Sequence, residues 1–364
     1  MRAALIATIL AASILGSLRA SAAAEPAPRA ADHEPLRAGA DSRAKVGEPP
    51  ASSPNAHETT HDSPLVAYAQ ELSEAKSRFD TRILHNATTA LRAVNFEMSR
   101  HPPPRDEDCA QTLGASRFAE QYEELASIQD QLGNFEAVIQ ANQSALACLP
   151  RIASYEASIA AAHLSLERID EARAAVERGY ALDPDDARVH DVRARLDFIQ
   201  EHWADATSRY RSMATENKGA RSPSFHYVRC YLWLAQRRAG VQSPEVPKAV
   251  ATEPEDEYRL KSWPAPILET LRGERSEQEL VQVVRDTSRE NEIRERLTEA
   301  LFYVGELRLA EGDAETARRH FASVINLRVL NFVEYGMARA ELKKMRDHAS
   351  VAATATPGTG NPAR

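Results

Sequence analysis

An interval of 34 residues recurs through the middle of this chain of 364 residues. Phe135, Ile169 and Trp203 are spaced by that interval, and so are Pro150 and Pro184. The prolines sit just past predicted helix ends, where a missing N–H costs least. The interval predicts repeated helical hairpins, and no single hairpin can bury its apolar face alone. Such hairpins stack into a solenoid, so we expect an all-α fold.

Small and large residues occupy matching places in three successive units. The small residues fall where two helices of a hairpin must approach closely, and the large apolar residues fill the gaps between helices. The matching residues are Leu132, Gly133, Phe135, Ala145 and Pro150, then Ile169, Ala172, Gly179 and Pro184, then Trp203, Ala206 and Tyr210. This pattern resembles the tetratricopeptide repeat family, whose units are helical hairpins. Val138, Asn142 and Lys218 depart from the family pattern.

Helical patterns also flank these three units. The segments Leu65 to Ser77 and Arg82 to Arg100 predict a degenerate capping hairpin. A further helix pair begins at Pro223, and a last full repeat contains Phe302. Between them the strict period breaks across 243–292. We predict an irregular insertion there, and a helical hairpin remains open as the alternative.

The C-terminal third carries several short blocks in a fixed order. The blocks are Trp263, Gly273 with Ser276 to Gln278, Phe302 to Gly305, Gly312 with Asp313, Asn331 to Glu334, and Ala340 to Leu342. They resemble the end of the NlpI lipoprotein family over about 225–345. That resemblance implies an adaptor between an envelope protease and cell-wall hydrolases, and it also implies a homodimer.

The charge balance argues against nucleic acid as a partner. The chain has 45 basic and 53 acidic side chains, and its pI is about 5.8. No excess positive charge is present to neutralise phosphates, which is the main source of affinity for nucleic acids. We therefore expect no nucleic-acid binding.

The N-terminus has the pattern of a secretory signal peptide over 1–24. Arg2 precedes an apolar run, and small residues near Ala22 and Ala24 offer two cleavage sites. The run is shorter than the roughly 20 residues that span a bilayer, so we expect cleavage rather than a membrane anchor. A lipoprotein needs a cysteine just after its signal, and none stands there. The sequence predicts a soluble periplasmic product with a disordered Ala/Pro-rich tether over 25–63 and a disordered tail over 349–364.

The three cysteines bear on the folded unit, which we place at 64–348. Cys109 precedes the opening helix of the first unit and Cys148 ends its closing helix, so the two are predicted neighbours. A disulfide between them is one interpretation for an oxidising compartment, and two buried thiols are the other. We interpret Cys230 as core packing. Without nearby histidines, the cysteines predict no zinc site.

The family register implies which residues line the inner wall of the solenoid. These wall residues are Glu120, Glu123, Ser127 and Asp130, then Ser154, Ala157 and Ala161, then Arg188, Asp191 and Arg195. The wall runs from acidic through small and neutral to largely basic. Such a gradient can orient an extended peptide by complementary charge. The alternative is that the charges are an ordinary solvated helix surface.

The sequence contains no motif for a nucleophile with its base, a metal set or a phosphate loop. We interpret His163 as packed between helices rather than as a general base, and we expect no cofactor. The pattern favours a non-enzymatic adaptor that binds a protein or peptide partner. Two alternatives remain: an enzyme or small-ligand receptor with a site assembled on the wall, and a self-associating oligomer whose groove holds its own N-terminal tether.

Overall fold

The computed structural model describes residues 63–74, 78–216, 224–248, 262–287 and 289–355. Within those ranges the regular structure is helical and contains no strand, which confirms the all-α prediction. The helices are α1 (Pro64–Glu74), α2 (Arg78–Arg100), α3 (Asp106–Cys109), α4 (Ala115–Gln131), α5 (Phe135–Cys148), α6 (Ala153–Ser165), α7 (Ile169–Leu182), α8 (Ala187–Ile199), α9 (Trp203–Glu216), α10 (Ser224–Arg238), α11 (Ala265–Leu271), α12 (Glu277–Arg285), α13 (Glu290–Ala310), α14 (Ala314–Leu327) and α15 (Val333–Ala355).

Consecutive helices pack against each other in pairs along the chain. The closest pairs are α4 with α5, α6 with α7, and α13 with α14. Helices α5, α7 and α9 begin at Phe135, Ile169 and Trp203. The 34-residue interval of the sequence is therefore an interval between helix starts.

The turns within these pairs obey the same interval. Gly133, Glu167 and Glu201 lie 34 residues apart and have φ angles of 72°, 61° and 62°. This left-handed conformation suits glycine and strains a residue with a Cβ atom. At Gly133 a side chain would also clash, because a Cβ atom would lie 2.6 Å from Cδ1 of Leu330.

A glycine lets successive pairs approach each other closely. Gly179 of α7 faces both α6 and α8, and a Cβ atom there would lie 2.9 Å from Val189 Cγ2 and 3.3 Å from Glu156 Cβ. Val189 is fully buried and Glu156 is nearly so. The absence of a side chain at Gly179 thus sets the distance between one hairpin and the next.

Aromatic side chains join the repeated pairs to the C-terminal half. Tyr210 of α9 stacks on Tyr231 of α10 with ring centroids 5.2 Å apart. Tyr231 also meets Phe198 of α8 at 5.6 Å and Tyr303 of α13 at 5.2 Å, edge to face. All four rings are buried. The hydrophobic core therefore continues without a break from α8 to α13.

The predicted N-terminal capping hairpin is wrong in its packing, although both of its helices form. α2 packs on α4, whereas α1 packs on α12, α13 and α14. Leu65 of α1 is fully buried there, and Ser63 lies 3.0 Å from His320 Nε2 and donates to Glu277 at 2.5 Å. The apolar face of α1 is thus buried against the C-terminal helices instead of α2.

The stretch 243–292 is more regular than predicted. It contains the short helices α11 and α12 and the start of α13. α11 packs against α10 and α13, and α12 packs against α1 and α13. Residues 241–248 are not helical, and 249–261 lie outside the described residues.

Both predicted tails fall largely outside the described residues. The signal peptide and the tether up to residue 62 are not covered. At the other end α15 continues to Ala355, past the predicted start of the tail at 349, and 356–364 are not covered. Within the described ranges, no helix combines the length and the apolar character needed to cross a membrane.

A disulfide joins Cys109 of α3 to Cys148 of α5, and the Cα atoms of the two residues are 4.6 Å apart. The cysteines are buried together with Ala119, Ala145 and Tyr155. The bond closes a loop of 39 residues around α4. Cys230 is a buried free thiol.

Removing this disulfide should destabilise the protein. We expect the double substitution Cys109→Ser and Cys148→Ser to lower the free energy of unfolding by about 2–4 kcal/mol, because a closed loop restricts the unfolded chain. Urea unfolding with and without a thiol reductant measures the effect. The reductant should destabilise the wild type and leave the double variant unchanged. An equal response of both proteins would contradict the prediction.

A second prediction concerns the spacing of the hairpins. Gly179→Leu should lower the free energy of unfolding by about 1–3 kcal/mol, because the new side chain must displace Val189 and Glu156. Ala174→Leu, at an exposed place on the same helix, is the control and should be nearly neutral. Leucine favours helix more than glycine does, so an equal or higher stability of Gly179→Leu would refute the close packing.

Candidate functional site

The predicted wall residues lie on α4, α6 and α8. Glu120 and Arg188 are exposed, and Ala157 is buried. The half-buried members are Glu123, Ser127, Asp130, Ser154, Ala161 and Asp191. The hydroxyl of Tyr155 on α6 donates to Glu123 on α4 at 3.4 Å, which connects two of the helices. Burial, and then the charge of Glu123, raises the pKa of Tyr155 to about 12.

Arg195 does not lie on an open surface, contrary to its predicted role in binding a partner. Only 8% of the residue is exposed, and its guanidinium donates to Asp191 at 2.6 Å. The side chain points toward the aromatic core, where the charge of Asp191 balances its own. Arg195 is therefore a structural residue, and Asp191 is already paired.

The C-terminal helix α15 covers part of the surface formed by α6 and α8. It packs on these two helices as well as on α13 and α14. Gly336 allows a close approach, because a Cβ atom there would lie 3.2 Å from Ser165 Oγ at the end of α6. Met337, Ala338 and Ala340 are buried in the same contact. The sequence analysis did not predict this covering helix.

Two strained turns hold α15 in place. Glu167 accepts from Arg339 Nε at 3.0 Å, and Arg339 also donates to the carbonyl of Ser165 at 3.1 Å. Lys344 lies 3.1 Å from Glu201 and donates to the carbonyl of Ile199 at 3.0 Å. These acceptors stand where the first unit has Gly133, and a left-handed backbone at a glutamate costs of order 1 kcal/mol or more. Each strained glutamate thus gives α15 an ionic contact.

Two buried carboxyl groups meet between α13 and α15. Glu299 is 6% exposed and accepts from the Tyr227 hydroxyl at 2.9 Å and from the Trp263 indole N–H. Burial, and then the charge of Glu334, raises the pKa of Glu299 well above its usual value. Glu334 accepts from the Tyr303 hydroxyl at 3.2 Å, and burial raises its pKa as well. The aromatic donors therefore hold a site where a carboxyl group tends to keep its proton.

A second carboxyl pair lies seven residues further along both helices. Glu306 of α13 is fully buried and Glu341 of α15 is 2% exposed. Arg238 of α10 donates to Glu306 at 3.1 Å, and Lys344 lies 2.5 Å from Glu341. Burial, and then the charge of Glu341, raises the pKa of Glu306 to about 8. Near neutral pH this carboxyl group is therefore largely protonated.

One set of side chains in the described part of the chain could converge on a metal ion. Ligand atoms of Asp197, His202 and Asp205 lie within 4.8 Å of one another. However, Arg209 donates to Asp197 at 2.6 Å. The best-buried carboxylate of the set is thus already paired with a cation, and a metal ion would have to displace that guanidinium.

The wall offers charge and hydrogen bonding rather than an enclosed cavity. The most pronounced depression found among the described residues, of about 460 Å³, is open to solvent and is lined by Gln282, Val283, Arg285 and Asp286, none of which is a wall residue. His163 is half-buried on α6, and burial lowers its pKa. The surface that can meet a ligand on α4, α6 and α8 is therefore an exposed strip.

Comparison with known proteins assigns no family to this chain. No family model matches it, and no curated protein matches its sequence. Its function must therefore be argued from its own residues and their geometry.

One sequence signal could have revealed the covering helix. Glu167 and Glu201 stand exactly where the repeat register of the first unit places Gly133. A glutamate at a position that favours glycine needs a compensating contact. The spacing shows that such a contact must exist, but it cannot show that Arg339 and Lys344 supply it.

The strained turn at Glu167 leads to a test by double-mutant cycle. In an Arg339→Ala background, Glu167→Gly should raise the free energy of unfolding by about 1 kcal/mol, because it relieves the left-handed strain without losing an ion pair. In the wild-type background the gain should be smaller, because the contact with Arg339 is lost. Chemical denaturation of the four proteins measures the difference.

Arg328 supplies the matched control for that cycle. It also has a positive φ, 56°, and it is exposed at the end of α14. Arg328→Gly should give a similar gain in both backgrounds. If Glu167→Gly also gave the same gain in both, the ion pair to α15 would contribute nothing to stability.

Proposed function

We propose that this chain is an exported, non-enzymatic adaptor of the tetratricopeptide-repeat type that binds a protein or peptide partner in the bacterial periplasm. The paired helices support the repeat assignment, because helix starts and left-handed turns both recur every 34 residues. The disulfide between Cys109 and Cys148 suits an oxidising compartment. The signal-peptide pattern at the N-terminus accounts for export.

The observation that carries the binding role is a charged strip that α15 leaves uncovered. We define the open strip as Glu120 and Glu123 on α4, Ser154 on α6 and Arg188 on α8. The hydrogen bonds that α15 makes to these pairs fall at the carboxyl ends of α6 and α8, at Ser165 and Ile199. The open strip instead lies near the amino ends of those two helices.

The charge order of the open strip defines the partner that fits it. Glu120 and Glu123 attract a basic segment, and Arg188 attracts an acidic one. Ser154 lies between them with a small hydroxyl side chain, so a backbone can approach closely. An extended segment with basic residues at one end and acidic residues at the other fits this order. Complementary charge of this kind sets the orientation and the association rate of a complex more than its affinity.

The class of partner follows from the resemblance of about 225–345 to the NlpI family. We infer that the bound segment belongs to an envelope protease or a cell-wall hydrolase, and that the adaptor brings such proteins together. The same resemblance supports a homodimer as the assembled form. The role in cell-envelope maintenance is part of this proposal.

Cross-linked capture from the native envelope tests the proposal. The exported protein should enrich an envelope protease or wall hydrolase, and Arg188→Glu should reduce that enrichment at least tenfold, because it reverses the only cation of the open strip. Arg173→Glu, exposed on α7 and outside the strip, is the control and should behave as the wild type. Arg195 is unsuitable for this test, because it is buried and its loss would disturb the fold.

Three results of the capture experiment have distinct meanings. Loss with Arg188→Glu and retention with Arg173→Glu support both the adaptor and its strip. Equal capture by all three proteins would show that the strip is not the binding surface. If no protein is enriched by the wild type, the adaptor role itself is wrong.

A further inference from the structure

The contact between α13 and α15 buries four carboxyl groups in two layers. Glu299 and Glu306 are seven residues apart on α13, and Glu334 and Glu341 are seven apart on α15. The four residues are between 0% and 6% exposed. Residues seven apart share one face of a helix. Each helix therefore presents its two carboxyl groups to the other.

The charges around Glu306 do not balance. Three carboxyl groups meet there: Glu306 itself, Glu341 of α15 and Glu201 of the turn between α8 and α9. Two cations face them, Arg238 of α10 and Lys344 of α15. An isolated buried charge is costly, and the usual response of a carboxyl group is to take up a proton. One proton makes the layer neutral.

The hydrogen bonding of this layer also requires a proton. Arg238 satisfies Oε2 of Glu306, whereas Oε1 is buried without a hydrogen-bond partner. Oε1 of Glu341 likewise has no hydrogen-bond partner, although Lys344 pairs with it electrostatically. Two unprotonated carboxylates can only accept hydrogen bonds. A single proton on the pair turns one of these oxygens into a donor.

We propose that α15 is a proton-dependent latch, in which the Glu306–Glu341 pair holds one proton while α15 is docked and loses it when α15 lifts from α6 and α8. The ionic contacts of Arg339 with Glu167 and of Lys344 with Glu201 guide α15 back to its place. Lifting the latch uncovers the carboxyl ends of α6 and α8. This inference concerns α15 alone and stands whether or not the open strip binds a partner.

The direction of the pH dependence follows from the two states of Glu306. Its pKa is about 8 when α15 is docked, and it falls toward the ordinary value of about 4.3 when the group meets water. A carboxyl group with a raised pKa stabilises the docked state at low pH, and this stabilisation is lost as pH rises. The docking constant therefore falls about tenfold per pH unit between these two pKa values and levels off above pH 8.

Hydrogen–deuterium exchange of the intact protein tests the latch. After correction for the intrinsic exchange rate at each pH, protection of α15 amides from Val333 to Met345 should fall about 100-fold between pH 6 and pH 8. Amides of α5 serve as the internal reference and should change much less. Glu306→Gln replaces the acid by a neutral amide, so its protection should fall less steeply by a factor of about ten per pH unit.

Two further variants separate the latch from general effects of pH. Glu311→Gln, exposed just after α13, is the matched control and should keep the wild-type slope. Ser165→Cys with Gly336→Cys should lock α15, because a Cβ atom on Gly336 would lie 3.7 Å from Cβ of Ser165, a spacing typical of disulfides. In the oxidised lock, protection of α15 should be independent of pH.

The outcomes are decisive in either direction. A wild-type slope that Glu306→Gln reduces, Glu311→Gln keeps and the lock abolishes supports the proposal. Protection that is independent of pH in the wild type would overturn it, and so would an identical slope in Glu306→Gln. If Glu306→Gln fails to fold, the wild type and the lock decide: a pH-dependent slope that persists in the oxidised lock also overturns the latch.

Discussion

The left-handed turns at Gly133, Glu167 and Glu201 are the constraint on which the rest of the structure depends. They reverse the chain between the helices of each pair, and their 34-residue interval makes successive pairs superimpose along the chain. The first turn uses glycine and avoids strain. The next two use glutamate and accept strain, and both carboxylates then bind α15 through Arg339 and Lys344. One backbone conformation thus supports both the stacking of the pairs and the position of the C-terminal helix.

A second feature of the fold is that polar groups were not removed from its interior. The contact between α13 and α15 would be simpler with apolar side chains, because replacing buried ionisable groups by hydrophobic ones is often neutral or stabilising. Instead Glu299 and Glu334 receive aromatic hydroxyl and indole donors, and Glu306 and Glu341 lie beside cations. Such a contact is specific in register and sensitive to protonation. This sensitivity distinguishes α15 from the helices that are held by apolar packing.

The two ends of the folded unit are secured by different chemistry. At one end a disulfide ties α3 to α5 around the first pair. At the other, Ser63 joins α1 to His320 and Glu277, and Glu277 also pairs with Arg308. α1 therefore closes the C-terminal half although it precedes all the other helices in the chain. The residues that connect it to α2 need to span the distance between two regions that are remote in sequence.

The sequence by itself determined the local structure of this protein. Helix starts follow from the 34-residue interval, and the pairing of Cys109 with Cys148 follows from their places at the two ends of one hairpin, because both depend on contacts within a single unit. The tertiary structure alone decided the long-range contacts: α1 packs on α14, Arg195 turns inward to Asp191, and α15 covers α6 and α8. Periodicity shows which side of a helix is apolar, but several surfaces of the fold can bury that side. The choice among them depends on shape and charge over the whole molecule, and no short stretch of sequence contains that information.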